Sequence, residues 1–180
     1  MGRAPRWLRF HYEVSLLALD QASRTSGYAV FDDDDKLITF GTFTYEDEDI
    51  GIRLHKIRNK VKSLIELYAV TQVVFEDIQL QGNVTNNVQT FKTLAEVFGV
   101  IYELVTDLGL EHDAVLSSTW KSTLGIKGRT RPEQKKNAQT WVMNTYGVKP
   151  SQDASDAICI GAHMIKHGGE IISDNFDWSE

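Results

Sequence analysis

Only one cysteine, Cys159, occurs among the 180 residues, so no internal disulfide can hold the fold together. It lies in the apolar run Ala157 to Ala162 and reads as a buried, reduced thiol of an intracellular protein. Long apolar runs are also missing. None approaches the ~20 residues that a membrane span requires, and the N-terminal segment has neither the apolar core nor the cleavage site of a signal peptide. A cytoplasmic protein with no membrane partner is expected. Internal repeats and linkers are absent, as is a Gly-rich phosphate-cradling loop with its lysine. What remains fits one globular domain: with 42% hydrophobic residues, a chain of this length buries enough apolar surface to stand without disulfides or structural metal.

Positive charge is in the minority, with a formal net charge of −6, which argues against a nucleic-acid partner until the distribution is considered. Between Asp32 and Asp49 eight acids face only Lys36, the pattern of a solvated hairpin edge. Two stretches lean the other way. Arg53, Lys56, Arg58, Lys60 and Lys62 run without an acid, and Lys121, Lys127, Arg129, Arg131, Lys135 and Lys136 meet only Glu133. The first run reads as a solvated helix face or a DNA-binding one; basic faces on an acidic molecule still attract DNA.

Residues 1–13 carry Arg3, Pro5, Arg6 and Arg9 without apolar periodicity and are expected to be a leader or arm outside a domain spanning 14–167. Short apolar runs at Val14 to Leu19, Gly27 to Phe31 and Leu37 to Tyr45 predict three consecutive strands. Asp49 is a suitable N-cap for a helix whose stripe is Ile50, Leu54, Ile57, Val61, Leu64 and Tyr68. A buried strand follows at Gln72 to Glu76, then the polar loop QGNVTNN. The spacing of Val88, Phe91, Ala95, Phe98, Tyr102 and Val105 predicts a second long helix, with Gly99 as a point of close packing. A short strand at Ala114 to Leu116 leads to a brief helix capped by Ser117 or Ser118 and to the basic loop GIKGRTR. Next come a helix opened by Pro132 and a last one opened by Ser151 or Gln152. The tail 168–180 has no clear element. The order βββαβαβααα implies a mixed five-stranded sheet with helices on its faces, an α/β fold.

Asp20 and Glu76 each end a buried strand, where a carboxylate is costly unless it is paired or holds a cation. Capping of a nearby helix would explain either one alone. Asp77 points to the face opposite Glu76, so only one of the two can look towards Asp20. Asp153 and Asp156 are three apart at a helix start and share a face. The helix dipole accounts for Asp153. It accounts less well for Asp156, which opens the apolar run DAICIGA. Four converging carboxylates repel one another and are stable together only around a hard cation. Oxygen-only ligands select Mg²⁺ or Mn²⁺ over zinc, and two such ions support hydrolysis of a nucleic-acid phosphodiester.

From about Val14 to His167 the chain resembles the RuvC Holliday junction resolvases of the RNase H-like superfamily. LLALDQASRTSGYAVF resembles the family's first hairpin, and VVFED the strand bearing its second acid, with Asn83 at an interval where the family often has Asn. SSTWKSTLGIKG is similar to the segment carrying a phosphate-contacting lysine, and DASDAICIG to the terminal acid pair. The resemblance implies a catalytic, metal-holding set of Asp20, Glu76, Asp153 and Asp156 with two Mg²⁺ ions, Mn²⁺ substituting. It also implies DNA contacts by Ser23, Arg24, Asn83, Lys121, Lys127, Arg129, Arg131, Lys135 and Lys136, with Lys135 or Lys136 beside the acids. Its implied partners are branched DNA, above all four-way junctions, and a second copy of the chain joined through Phe91 to Tyr102. Gln21 and Ala22 depart from the family's Pro-Gly, and Ile78, Gln79 and Leu80 stand where cellular members often carry a junction-wedging aromatic; both suggest a bacteriophage branch with a broader range of branched substrates.

Rival readings rest on less. A junction-binding module that has lost catalysis is disfavoured by the presence of all four acids, and the two lobes of a small kinase or ATPase-like domain need a longer chain. His163 and His167 have zinc-ligand spacing but no third ligand. Gly125 to Gly128 has the outline of a nucleic-acid-clamping loop in the wrong order of elements. Trp120 and Trp141 read as packing residues; Trp7 and Trp178 are isolated.

Overall fold

The computed structural model describes residues 15–79 and 84–167. The arm over 1–13, the tail over 168–180, Trp7, Trp178 and Asn83 lie outside these residues. The expected order is found: β1 (Ser15–Asp20), β2 (Thr25–Phe31), β3 (Leu37–Thr44), α1 (Ile50–Leu67), β4 (Val70–Glu76), α2 (Val84–Asp107), β5 (Glu111–Val115), α3 (Ser117–Thr123), α4 (Arg131–Tyr146) and α5 (Gln152–Lys166). The five strands form one sheet in the order β3-β2-β1-β4-β5. β1, β2 and β3 meander antiparallel, while β4 runs parallel to β1 and β5 parallel to β4.

Side-chain alternation divides the core into two layers. Leu17, Leu19, Val73 and Phe75 face Ile57, Val61 and Leu64 of α1 and Val97, Ile101 and Leu104 of α2. Leu16, Ala18, Ala29, Phe31 and Val74 face Trp120 of α3, Ala138 and Val142 of α4, and α5. Each fully buried aliphatic side chain contributes roughly 1.5–3 kcal/mol by leaving water.

The packing of α5 matters most for function. Every residue from Ala154 to Met164 is buried, and two glycines allow that depth. A Cβ on Gly27 of β2 would lie 2.0 Å from the Asp153 carbonyl oxygen, and one on Gly161 of α5 would lie 2.2 Å from the Phe31 ring. Helix and sheet therefore touch backbone to strand at both ends of the crossing. Ser151 accepts from the Ala154 N–H and caps the helix.

Several details differ from the sequence-based expectations. α2 starts at Val84, inside the stretch expected to be a loop. Gly99 is not a point of close packing among the described residues: a Cβ there would meet none of their atoms within 4 Å. α3 has Leu116 at its N-cap and no side-chain cap from Ser117 or Ser118. The basic run of α1 is largely neutralised. Arg53 is buried and donates to the backbone carbonyls of Ser23, Asp47 and Glu48. Lys56 pairs with Asp47, Arg58 with Glu103 and Asp107, and Lys62 with Glu66. No helix among the described residues is long and apolar enough to cross a membrane.

Candidate active site

Alternation along β1 sends Leu16 and Ala18 to the α5 side of the sheet, and Asp20 follows them. Along β4, Val74 faces the same side, and Glu76 follows it. The parallel register pairs Leu19 with Phe75, so the two acids end neighbouring strands in step. Asp77 turns away; its carboxylate accepts from the Ile78 N–H and its own N–H donates to Val115. The choice between Glu76 and Asp77 is thereby made by register.

Asp20 is paired across β1 and β2 with Gly27, the residue against which the start of α5 presses. Asp153 therefore arrives beside Asp20, and Asp156 lies one turn further along the same face, buried. The four acids form one electrostatic unit. Burial holds Asp20 well above the usual carboxylate range, and the charges of Glu76, Asp156 and Asp153 raise it further against the opposing Lys135. Glu76 is raised by burial, opposed by a hydrogen bond from Trp120 and by Lys121, Arg131 and Lys135. Asp156 is pushed up to about 6, again by burial first, with Lys135 opposing and Glu76 adding.

One cation already serves this cluster. Lys135 Nζ lies 3.4 Å from Asp153 Oδ1 and 3.9 Å from Asp156 Oδ2. Lys136, next in sequence, is exposed, so of the two lysines it is Lys135 that stands among the acids. The donor set also fits a hard cation. All four groups are carboxylates, and Asp156 Oδ1 is a buried oxygen without a hydrogen-bond partner among the described residues. No three His, Cys, Asp or Glu side chains among the described residues are drawn in tightly enough to grip an ion. Mutual repulsion keeps the acids apart, with Lys135, Lys121 and Arg131 opposing it.

The family model described as crossover junction endodeoxyribonuclease RuvC matches residues 16–164. The chain belongs to the RuvC family. RuvC from Magnetococcus marinus is 24% identical over 151 residues, covering 82% of this chain and 81% of its own length. RuvC from Acinetobacter baylyi is 23% identical over 146 residues, covering 79% and 78%. Among solved structures, RuvC of Thermus thermophilus in complex with a Holliday junction substrate superposes with a TM-score of 0.66 at 14% identity, covering 86% of this chain and 97% of that one. The Fowlpox virus resolvase, in complex with Holliday junction DNA, gives 0.58 at 12% identity, covering 86% and 98%. At these identities the structural likeness speaks for the fold.

Around the acids of this RuvC-family chain, the remaining candidate residues fall into two groups. Lys121 is near Glu76; its ammonium donates to Ser117 Oγ at 2.6 Å and lies 4.9 Å from the centre of the Trp120 ring. Lys127, Arg129, Arg131 and Lys136 are exposed around the start of α4, and none forms an ion pair with another described residue. Ser23 and Arg24 sit on the turn after Asp20, where the Ser23 carbonyl is occupied by Arg53 and Arg24 pairs with Glu46 at 3.3 Å. The rings of His163 and His167 lie 4.7 Å apart between centres, tilted at 50°, and no third ligand joins them among the described residues.

Two residues that sequence reasoning did not assign to the site belong to it. Trp120 is fully buried and donates its indole N–H to Glu76 Oε2 at 3.1 Å. Gln21 brackets the backbone of Glu76 with both ends of its amide. Gln21 was visible as a departure from the Pro-Gly pattern; nothing in the sequence marked Trp120 as more than a packing residue.

Proposed function

We propose that this chain is a divalent-metal-dependent endonuclease that hydrolyses phosphodiester bonds in four-way junctions and other branched DNA by paired nicks. The observation that carries the reading is the meeting of Asp20, Glu76, Asp153 and Asp156 from β1, β4 and α5 on one side of the sheet, in a member of the RuvC family. Asp20, Glu76, Asp153 and Asp156 would hold divalent cations, two Mg²⁺ per site with Mn²⁺ able to replace them, and the bound ions would supply water activation and charge neutralisation at the leaving oxygen. The chain's own residues do the rest. Lys135 and Lys121 bind phosphate oxygens at the scissile position and stabilise the charge that builds there. Lys127, Arg129, Arg131 and Lys136, with Ser23, Arg24 and Asn83, hold the backbone of the flanking arms.

Paired nicks need two sites, and a junction's two-fold symmetry matches a symmetric homodimer. The α2 face supports this: Val88 and Tyr102 are about half exposed, at 52% and 49%, and no described residue stands within 4 Å of a Cβ placed on Gly99 between them. A second copy laid on this stripe would bury it. The departures from the cellular pattern around Gln21 and Ile78 favour a bacteriophage branch.

The test is a labelled four-way junction incubated with Mg²⁺. Symmetric incision by the wild type is expected, with cleavage lost and junction affinity retained in Asp20→Asn. Binding without incision by the wild type would instead favour a junction-binding module without catalysis, and unchanged cleavage by Asp20→Asn would remove that residue from the mechanism.

A further inference from the structure

Glu76 is held from both of its ends. On the backbone side, its N–H donates to Gln21 Oε1 at 3.1 Å while Gln21 Nε2 donates to its carbonyl. The ladder between β1 and β4 stops at the pair Leu19 and Phe75. One residue beyond, the Gln21 amide takes over as a surrogate peptide group, presenting one donor and one acceptor as a strand would. It thereby ties the residue after one acid to the backbone of the other. Gln21 is 7% exposed, a polar side chain whose burial is tolerated because both halves of its amide are satisfied.

On the side-chain side, Trp120 Nε1 donates to Glu76 Oε2 at 3.1 Å from a ring with no exposed surface. A buried indole N–H needs an acceptor, and this one has taken a carboxylate of the acidic cluster where a carbonyl would have met the need. The bond engages one carboxylate oxygen and restrains rotation about the end of the side chain. Lys121 over the ring, 4.9 Å from its centre, and the packing of Trp120 into the α5 layer hold the indole in turn.

We propose that Gln21 and Trp120 are positioning residues for cation binding: Gln21 sets the separation of the two strand-end acids, and Trp120 orients the Glu76 carboxylate so that Oε1 is left for the cation. The proposal rests on the reading of Glu76 as a metal ligand. Outer partners of metal-ligating groups characteristically contribute about 10–100-fold to metal affinity or activity, and both residues here stand in that relation to one acid.

The test uses the full-length protein and Mn²⁺ binding measured by electron paramagnetic resonance, with no DNA present. Trp120→Phe, which removes the N–H and keeps an aromatic, and Gln21→Met, which keeps the length and removes the amide, are each expected to weaken Mn²⁺ binding about tenfold or more. The Mg²⁺ concentration for half-maximal cleavage should rise by a similar factor, with junction affinity in metal-free buffer unchanged. In a Glu76→Gln background, Trp120→Phe should bring no further loss of Mn²⁺ affinity. Wild-type Mn²⁺ affinity in both single variants, or an equal loss with and without Glu76, would overturn the proposal.

A second measurement does not depend on the variants folding. In the wild type labelled with ¹⁵N, the Trp120 indole resonance should shift on saturation with Mg²⁺. An indole signal that stays still while Mg²⁺ binding is saturated would sink the proposal alone. A wild type that binds neither Mg²⁺ nor Mn²⁺ would sink the metal-site reading together with it.

Discussion

Replacing Asp156 by Asn should make the metal-free protein more stable at alkaline pH, although it removes a partner of Lys135. Asp156 is 7% exposed, and one of its oxygens has no hydrogen-bond partner among the described residues. Burial raises its pKa from the ordinary 3.8 to about 6, Lys135 offsetting part of that rise and Glu76 adding to it. A carboxyl whose pKa is higher in the folded state stabilises the fold below its unfolded pKa, and that contribution is lost as the pH climbs through about 6. A shift of about two units corresponds to roughly 3 kcal/mol once the group is fully ionised. Asn has the same shape and never ionises. For a chain of this size the gain is worth on the order of 6–10 °C in Tm, less whatever the amide loses in an acid-shaped niche.

The assay is thermal or urea unfolding in chelator across the range from about pH 4 to about pH 8. Asp156→Asn should unfold later than wild type at the alkaline end, and the gap should close towards the acid end. Saturating Mg²⁺ should narrow the gap again, because a ligand that binds only the native wild type stabilises it by mass action. If Asp156→Asn proved less stable than wild type in chelator at about pH 8, the ion pair with Lys135 would outweigh desolvation and the reasoning would fail. A gap independent of pH would refute it equally.

Lys135→Met should cut the cleavage rate by about 100-fold, in the range of losing one preorganised charge at a phosphoryl centre, whereas Lys136→Met should stay within a few fold; comparable rates for the two in single-turnover assays would contradict the placement of Lys135. Gly27→Ala should destabilise the fold by about 3 kcal/mol or more, since its Cβ would stand 2.0 Å from the Asp153 carbonyl oxygen and only movement of α5 can relieve that; denaturant unfolding measures it, and a neutral result would mean the helix start is free to shift. Replacing Lys127, Arg129 and Arg131 together by Gln should weaken junction binding and flatten its salt dependence by roughly 0.9 log units for each phosphate no longer neutralised; an unchanged slope in binding titrations would show that these residues do not touch the backbone.

Much of this architecture can be read from local pattern, because each strand and helix is amphipathic or apolar at its own period. Asp20 and Glu76 stand out for a thermodynamic reason: each ends a buried strand where an ionised group has no local excuse. Asp153 is different. At a helix start it has an adequate local explanation, and only the contact of its backbone with Gly27 ties it to Asp20. Tertiary partners were the illegible part. The acid-free spacing of the α1 cations resembles a DNA-binding face, but the counter-charges of Lys56 and Arg58 come from the β3–α1 loop and from α2, which periodicity does not bring near. The acceptor of the Trp120 indole lies 44 residues away in sequence. The start of α2 is hidden because Asn and Thr have weak helix propensity, a preference that tertiary context overrides.

The net charge of −6 looks wrong for a protein that handles DNA, and the structure shows why the sum misleads. Most of the acids between Asp32 and Asp49 are committed locally. Asp32 accepts from the turn N–H groups of Asp34 and Lys36, Asp34 pairs with the Lys36 ammonium, Asp49 caps α1, Asp47 holds Lys56, and Glu46 pairs with Arg24. On the proposed reading the four site acids are held for cations, and two divalent ions contribute +4, which would leave the loaded protein at about −2. What faces outwards around the site is then the set Lys127, Arg129, Arg131 and Lys136, which has no ion pair among the described residues. A phosphate approaching within a Debye length of about 8–10 Å responds to that local field and not to acids on the β2–β3 hairpin. The acidity of the chain and its suitability for DNA are therefore compatible. On the proposed reading, negative charge is either tied up in turns and caps or concentrated where a cation-loaded site would meet the backbone to be cut.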